Sequence, residues 1–248
     1  MQSKLVAALV KIGHSSINTS GECKSSLTDV SLNLFQGQIT ALIGPNGSGK
    51  TTLFNILGCL DAPSTGTYHL LDQEVGHASE SARDDLRSRR IGLVFEKTSL
   101  VEQISLQKNV EIPLEIGGGK RYKVRALDAL TYVGLANFLS YTPESVSFFQ
   151  KKLACLARAI VMNPTLLLLD EPFYGLSWLE TLMYIDLLQR ISSNSTISIL
   201  LSTREDKVTE FCNQSIYIKD GQLVEQKVTK KQLNAASEQY KLELRPSR

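Results

Sequence analysis

ITALIGPNGSGKTTLFNIL, from Ile39 to Leu57, passes from five nearly all-apolar residues through a glycine-rich loop into an amphipathic run. Gly44 to Thr51 fits the spacing G-x-x-x-x-G-K-S/T in full, with a strand expected before it and a helix after it. Gly44, Gly47 and Gly49 let backbone N–H groups turn inward around a phosphate without Cβ clashes. The helix that follows adds positive potential at its N-terminus. Lys50 suits contact with β- and γ-phosphates, and the Thr51 hydroxyl suits a Mg²⁺ ligand. Pro45, Asn46, Ser48 and Thr52 complete the candidate cradle. The competing reading, an ordinary glycine-rich turn, does not explain why strand, loop, lysine and threonine all fall in place together.

A second signal is TLLLLDEP, Thr165 to Pro172. Four leucines carry Asp170 and Glu171 to the end of a buried strand, where α/β sheets place their ligands. Asp170 suits a Mg²⁺ contact and Glu171 a general base that polarises a water. The alternative is a solvated acidic turn. Further apolar runs, Ile91 to Phe95 and Ile197 to Leu201, have the look of strands buried on both faces. With helical patterns between them they imply an α/β fold with a mostly parallel sheet. No N-K-x-D motif for guanine occurs.

At 248 residues the chain has room for one large domain or a domain of two lobes. Its net charge of +2 is too small to argue for nucleic acid or an acidic partner. Cys23, Cys59, Cys155 and Cys212 are scattered without metal-ligand spacing and suit free thiols in a reducing compartment. The basic residues Lys227, Lys230, Lys231, Lys241, Arg245 and Arg248 are expected to be a solvated tail. The apolar N-terminal run lacks a cleavage site and is expected to be a first strand. No apolar stretch approaches the roughly 20 residues that cross a bilayer. Ser15 to Ser26, rich in Ser, Gly and Asn, is expected to be a hairpin loop between edge strands. Between Leu100 and Ile160 the patterns turn helical, and GGGK at Gly117 to Lys120 is a turn within them.

Over nearly its full length the chain resembles the nucleotide-binding subunits of ATP-binding cassette (ABC) transporters. GPNGSGKTT looks like their Walker A motif and LLLLDEP like Walker B with its catalytic glutamate. DVSLNLFQGQITALIG and IYIKDGQLVEQ match the framing strands. GCLDAPSTGTY (Gly58 to Tyr68) and SLVEQISLQKNVEIPL (Ser99 to Leu114) look like the lipoprotein-release and macrolide-efflux subgroup. The resemblance implies a P-loop NTPase core over 1–97 and 161–248, with an antiparallel β subdomain at the N-terminus and a helical subdomain inserted at 98–160. It implies ATP and Mg²⁺ as ligands, transmembrane permease subunits as partners, and a place on the cytoplasmic side of the inner membrane. It also implies a head-to-tail pairing of two cassettes, each ATP lying between one Walker A and the other's LSGGQ signature.

At the signature position this chain reads Val146, Ser147, Phe148, Phe149, Gln150. Phenylalanines stand where the family has glycines. Ser147 and Gln150 survive as candidate contacts to the partner's ATP, and their spacing also fits a capping box. Two benzyl groups are expected to hold the backbone off the γ-phosphate or force it onto another path, or to serve as an exposed contact with a partner. At the Q-loop, Glu96 replaces glutamine: a hard oxygen for Mg²⁺ whose charge beside triphosphate costs on the order of 1–4 kcal/mol at about 4 Å, or else a solvated surface group. At the switch histidine stands Arg204, which offers donors only and suits a γ-phosphate clamp, or a surface ion pair with Glu205 or Asp206. Ser177 replaces the closing D-loop aspartate. No Phe, Tyr or Trp precedes Phe35, so the adenine-stacking aromatic has no obvious counterpart, and His14 suits a loop better than an adenine platform.

Two function classes follow. One is an ATP-hydrolysing subunit that powers a transporter. The other is a degenerate ATP-binding module that stabilises a complex with an active partner. A non-transport ABC protein of DNA repair or translation fits less well, since the chain has neither coiled-coil insertion nor second cassette.

Overall fold

The computed structural model describes residues 4–17, 23–118 and 120–228. In chain order the elements are β1 (Leu5–Ile17), β2 (Cys23–Phe35), β3 (Ile39–Ile43), α1 (Lys50–Leu57), β4 (Thr65–Leu70), β5 (Gln73–Glu74), α2 (Glu80–Arg90) and β6 (Ile91–Val94). Then come α3 (Leu106–Ile116), α4 (Tyr122–Tyr132), α5 (Phe148–Ile160), β7 (Leu166–Leu169), α6 (Trp178–Ser195), β8 (Ser198–Thr203), β9 (Gln214–Lys219) and β10 (Gln222–Val228). A four-stranded antiparallel sheet has the order β2-β1-β4-β5. A six-stranded sheet has the order β10-β9-β3-β8-β7-β6, parallel throughout except for β10 at its edge.

The four leucines of β7 show why the apolar runs are continuous rather than alternating. Leu166 and Leu168 enter one core with β1, β4 and α1, while Leu167 and Leu169 enter another with α5 and α6. Successive side chains leave opposite faces of a strand, and here both faces are covered. All four are fully buried; at about 2 kcal/mol each they contribute strongly to the sheet. β8 divides in the same way, Leu200 to the first core and Ile199 and Leu201 to the second.

The helical region forms its own layer. Leu106, Val110 and Leu114 of α3, Ala126 and Leu130 of α4, and Leu153, Leu156 and Ala157 of α5 share the second core. Among the described residues no helix is long and apolar enough to cross a membrane. Cys59, Cys155 and Cys212 are free and buried. Burial pushes the Cys59 thiol up to about 11 and Cys212 up to about 12.

Three expectations need correction: the loop at Ser15 to Ser26, the tail at Lys227, which instead pairs with Ser215 as part of β10, and the ends of three strands. Ser15 to Ile17 pair with Cys23 to Ser25 as strand, not loop, and Ser26 sits at the bulge before Leu27: β1 and β2 extend there as a ribbon, and backbone pairing outweighs composition. Residues 18–22 between them lie outside the described residues, as do Gly119 of the GGGK turn and the basic residues from Lys230 onward. Phe95, Thr165 and Ile197 fall just outside their strands, and β8 runs on to Thr203.

Candidate functional site

The loop after β3 delivers Lys50 to the first turn of α1. Gly49 takes φ +104°, and a Cβ there would come within 2.7 Å of the Ser26 carbonyl oxygen, so no other residue fits without moving the loop or β2. Lys50 Nζ, buried, donates to the carbonyl oxygens of Gly44 at 2.6 Å and Pro45 at 2.9 Å. Burial lowers its pKa, with the Glu171 carboxylate pulling the other way.

β7 ends beside this loop. Asp170 N–H donates to the Val94 carbonyl, which fixes the strand's last residue against β6. Ser202 of β8 donates to Asp170 Oδ1 at 2.6 Å and accepts from the Glu171 N–H at 2.7 Å. Glu171 itself takes φ +44°, a left-handed backbone unusual for a branched path into a loop and costing about 1–2 kcal/mol. Such strain gathers where a side chain has to be aimed. Its carboxylate Oε1 accepts from Arg204 Nε at 3.0 Å and lies 3.9 Å from Lys50 Nζ.

These groups line one cleft of about 550 Å³: Asn46, Gly47, Gly49, Lys50, Thr51, Thr52, Glu96, Asp170, Glu171 and Arg204 all face it, with Ser25, Ser26, Asp220 and Gly221. Gly44 and Pro45 line an adjoining groove that shares Asn46 and Arg204, and Ser48 is buried beneath the loop. Glu96 therefore lines the cleft and is not merely a surface group. Arg204 pairs with Glu171 rather than with Glu205 or Asp206, because β8 ends one residue earlier directly beside the end of β7. Around a glycine cradle the cleft sets the Lys50 ammonium, the Arg204 guanidinium, the Thr51 hydroxyl and the carboxylates of Glu96, Asp170 and Glu171, which is a site for a metal-bound polyphosphate.

Ser147 and Gln150 do not line this cleft. They make the capping box at the start of α5: Ser147 Oγ accepts from Gln150 N–H at 3.2 Å and Ser147 N–H donates to Gln150 Oε1 at 2.8 Å. The helix begins regularly at Phe148, directly behind its capping box. Nor are both exposed. Phe149 packs on the second core, while Phe148 remains 44% exposed.

The Phe148 ring has two neighbours. Lys152 Nζ lies 5.5 Å from its centroid, and that buried ammonium also donates to the Glu96 carbonyl at 2.7 Å. Burial lowers the Lys152 pKa, with Cys155 and Glu96 acting against it. Across from it is Gly175 in the D-loop, with φ +80°; a Cβ there would come within 2.9 Å of the Phe148 ring. A missing side chain at 175 makes room for the extra one at 148. Gly175→Ala is accordingly expected to lower stability by roughly 1–3 kcal/mol, from left-handed backbone strain and ring displacement together. In chemical denaturation the loss should shrink when Phe148→Ala is added; equal losses in both backgrounds would refute the contact.

The family model described as ABC transporter matches residues 27–174, which contain the phosphate loop, Asp170 and Glu171. The chain belongs to the ABC transporter ATP-binding family. This ABC cassette is 36% identical over 200 residues to the ABC transporter ATP-binding protein YknY of Bacillus subtilis (strain 168), covering 80% of this chain and 86% of that protein. It is 33% identical to the lipoprotein-releasing system ATP-binding protein LolD of Pseudoalteromonas translucida, over 79% of this chain and 86% of LolD. Against the macrolide export ATP-binding/permease protein MacB of Syntrophobacter fumaroxidans it is 36% identical over 79% of its length but spans 28% of MacB. A solved structure described as a dimeric post-hydrolysis state of the ATP-binding cassette MJ0796 bound to ADP and Pi superposes with TM-score 0.83 at 27% identity, over 90% of this chain and 99% of that one. The cassette is thus an ABC-type ATPase subunit, of the kind that couples ATP hydrolysis to transport.

Four participants escaped the sequence reading. Ser202 had a signal, a hydroxyl ending an otherwise apolar buried strand. Lys152 had one too, a lysine on the inward face of an apolar helix. Gly175 and the Ser26–His14 contact had none, since each depends on a neighbour distant in the chain.

Proposed function

We propose that this chain binds Mg²⁺-ATP in the cleft and hydrolyses it slowly, driving export or extraction by transmembrane permease subunits from the cytoplasmic face of the inner membrane, with which it associates peripherally. The observation that carries this reading is the convergence of Lys50 and Glu171, 3.9 Å apart, on one cleft with Asp170. Gly44 to Thr52 cradle the phosphates, and Lys50 leaves its own loop's carbonyls to meet the β- and γ-oxygens. Thr51 and Asp170 hold the Mg²⁺, with Glu96 as a third oxygen; the hydroxyl of Ser202 occupies one carboxylate oxygen of Asp170 and leaves the other for the ion. All are hard oxygen donors, as Mg²⁺ requires. Bound there, Mg²⁺ neutralises charge on the phosphate oxygens. Glu171 orients and deprotonates the attacking water, for which its oxygen has to part from Arg204. The guanidinium, 44% exposed, is free to swing toward the γ-phosphate.

The Arg204–Glu171 pair also favours a second reading, a subunit that binds ATP mainly to stabilise a complex. Both readings place a second cassette opposite this one, as a homodimer or as a heterodimer with an intact signature. Ser147 and Gln150 would then face the partner's ATP, at the weaker of the two sites. Nucleic acid has no part in either reading.

Comparing ATP turnover of the purified chain with that of its complex from native membranes separates them. Slow turnover alone and faster turnover in the complex is the expected result. Phe148→Gly with Phe149→Gly should raise turnover by roughly a hundredfold, the low end of what one backbone donor aimed at developing charge contributes. Fast cooperative hydrolysis by the lone chain would remove the claim that its signature is weak.

A further inference from the structure

We propose that Ser26, held by His14 and Asp61, recognises the nucleoside half of the nucleotide by accepting a hydrogen bond, in place of aromatic stacking. The inference rests on the cleft being the ATP site. Among the described residues, the cleft's lining contains no Phe, Tyr or Trp. Once the phosphate loop and the groups around Asp170 are set aside, what lines it is Ser25, Ser26, Asp220 and Gly221. With the triphosphate along the loop and its γ end at Lys50 and Glu171, the base and ribose fall to these four residues.

Ser26 alone among them is supported by a relay. Its Oγ lies 2.8 Å from His14 Nδ1, and His14 Nε2 lies 3.0 Å from Asp61 Oδ2. Ser25, by contrast, has only its own strand's neighbours, the Leu27 carbonyl and the Thr28 hydroxyl, each at 3.1 Å, and among the described residues no side chain from another element holds it. An ionised carboxylate accepts only, so Nε2 carries hydrogen. If the ring is neutral, Nδ1 accepts from the Ser26 hydroxyl. If the ring is cationic, Nδ1 donates to Ser26 Oγ, and the hydroxyl turns to the His14 carbonyl oxygen at 3.3 Å. Either way the hydroxyl hydrogen is committed inside the protein. Ser26 therefore presents the cleft with an acceptor, and the ligand has to bring a donor: the exocyclic amine of adenine or a ribose hydroxyl. The His14 side chain is only 13% exposed, and its two partners lie in β2 and in the turn after α1, so the ring cannot rotate without losing both. That fixes the direction in which Ser26 points.

Calorimetric titration of the full chain with two ligands tests this: Mg²⁺-ATP, and Mg²⁺-tripolyphosphate, which has the phosphates but no nucleoside. Ser26→Ala should weaken ATP about fivefold to tenfold, the worth of one hydrogen bond to a desolvated partner, and leave tripolyphosphate unchanged. His14→Ala should act in the same direction and add nothing to Ser26→Ala; tripolyphosphate binding shows that each variant is folded. Repeating the titrations with ITP, which lacks the amine, and with 2′-deoxy-ATP, which lacks the 2′-hydroxyl, identifies the donor as the one whose removal makes Ser26→Ala silent. Equal weakening of ATP and tripolyphosphate, or no change in either, overturns the proposal. A wild-type chain that binds neither ligand would instead fell the ATP reading beneath it.

Discussion

Lys50→Ala is expected to weaken Mg²⁺-ATP binding by about two to four orders of magnitude. Charge-assisted hydrogen bonds are worth roughly 1.5–3 kcal/mol each, and the ammonium is placed to make two of them to phosphate oxygens. In the unbound arrangement it instead ties Gly44 and Pro45 together through their carbonyls. The variant therefore also loosens the cradle at the point where β3 hands over to the loop. Glu171, only 8% exposed, would keep Arg204 as its sole cationic contact of the pair, and a buried carboxylate with one neutralising partner fewer adds a stability loss of its own. Titration calorimetry reads the first effect and denaturant melts the second. A dissociation constant within threefold of wild type would mean that the polyphosphate does not lie along residues 44–51.

Glu171→Gln should separate binding from chemistry. Glutamine keeps the shape and the left-handed backbone, and its oxygen can accept from Arg204 Nε or, once parted from it, from the water, but it takes no proton. Loss of a positioned general base lowers turnover by about 10²–10⁴. ATP affinity should hold or rise, because Lys50 loses the carboxylate that competes with phosphate for its charge. Single-turnover hydrolysis measured beside calorimetry checks both halves. If hydrolysis survives at near wild-type rate, Glu171 is not the base, and the ion pair with Arg204 is its actual task.

How far the sequence carried these conclusions depended on how local each one was. The phosphate loop, the four leucines with Asp170 and Glu171 behind them, and the Ser147–Gln150 capping box are patterns of consecutive residues, and local spacing specifies them fully. For Arg204 the spacing left open a phosphate clamp or an ion pair with Glu205 or Asp206; its actual pairing with Glu171 depends on which strand β8 lies against. The strand ends at Ser15 to Ile17 and Cys23 to Ser26 failed for the opposite reason. Their residues are turn-formers by composition, and only the register of β1 against β2 makes them strand. Phe148 was the hardest, because its environment is set by an absent side chain at Gly175.

The Lys152 ammonium sits inside the protein, bonded to the main chain at Glu96 and roofed by an aromatic ring. Sliding α5 away from residue 96 would strand a cation in an apolar interior, at a cost of several kcal/mol. Helix and turn are therefore tied together: a displacement of α5 at Lys152 pulls on the main chain of residue 96, at the rim of the nucleotide cleft.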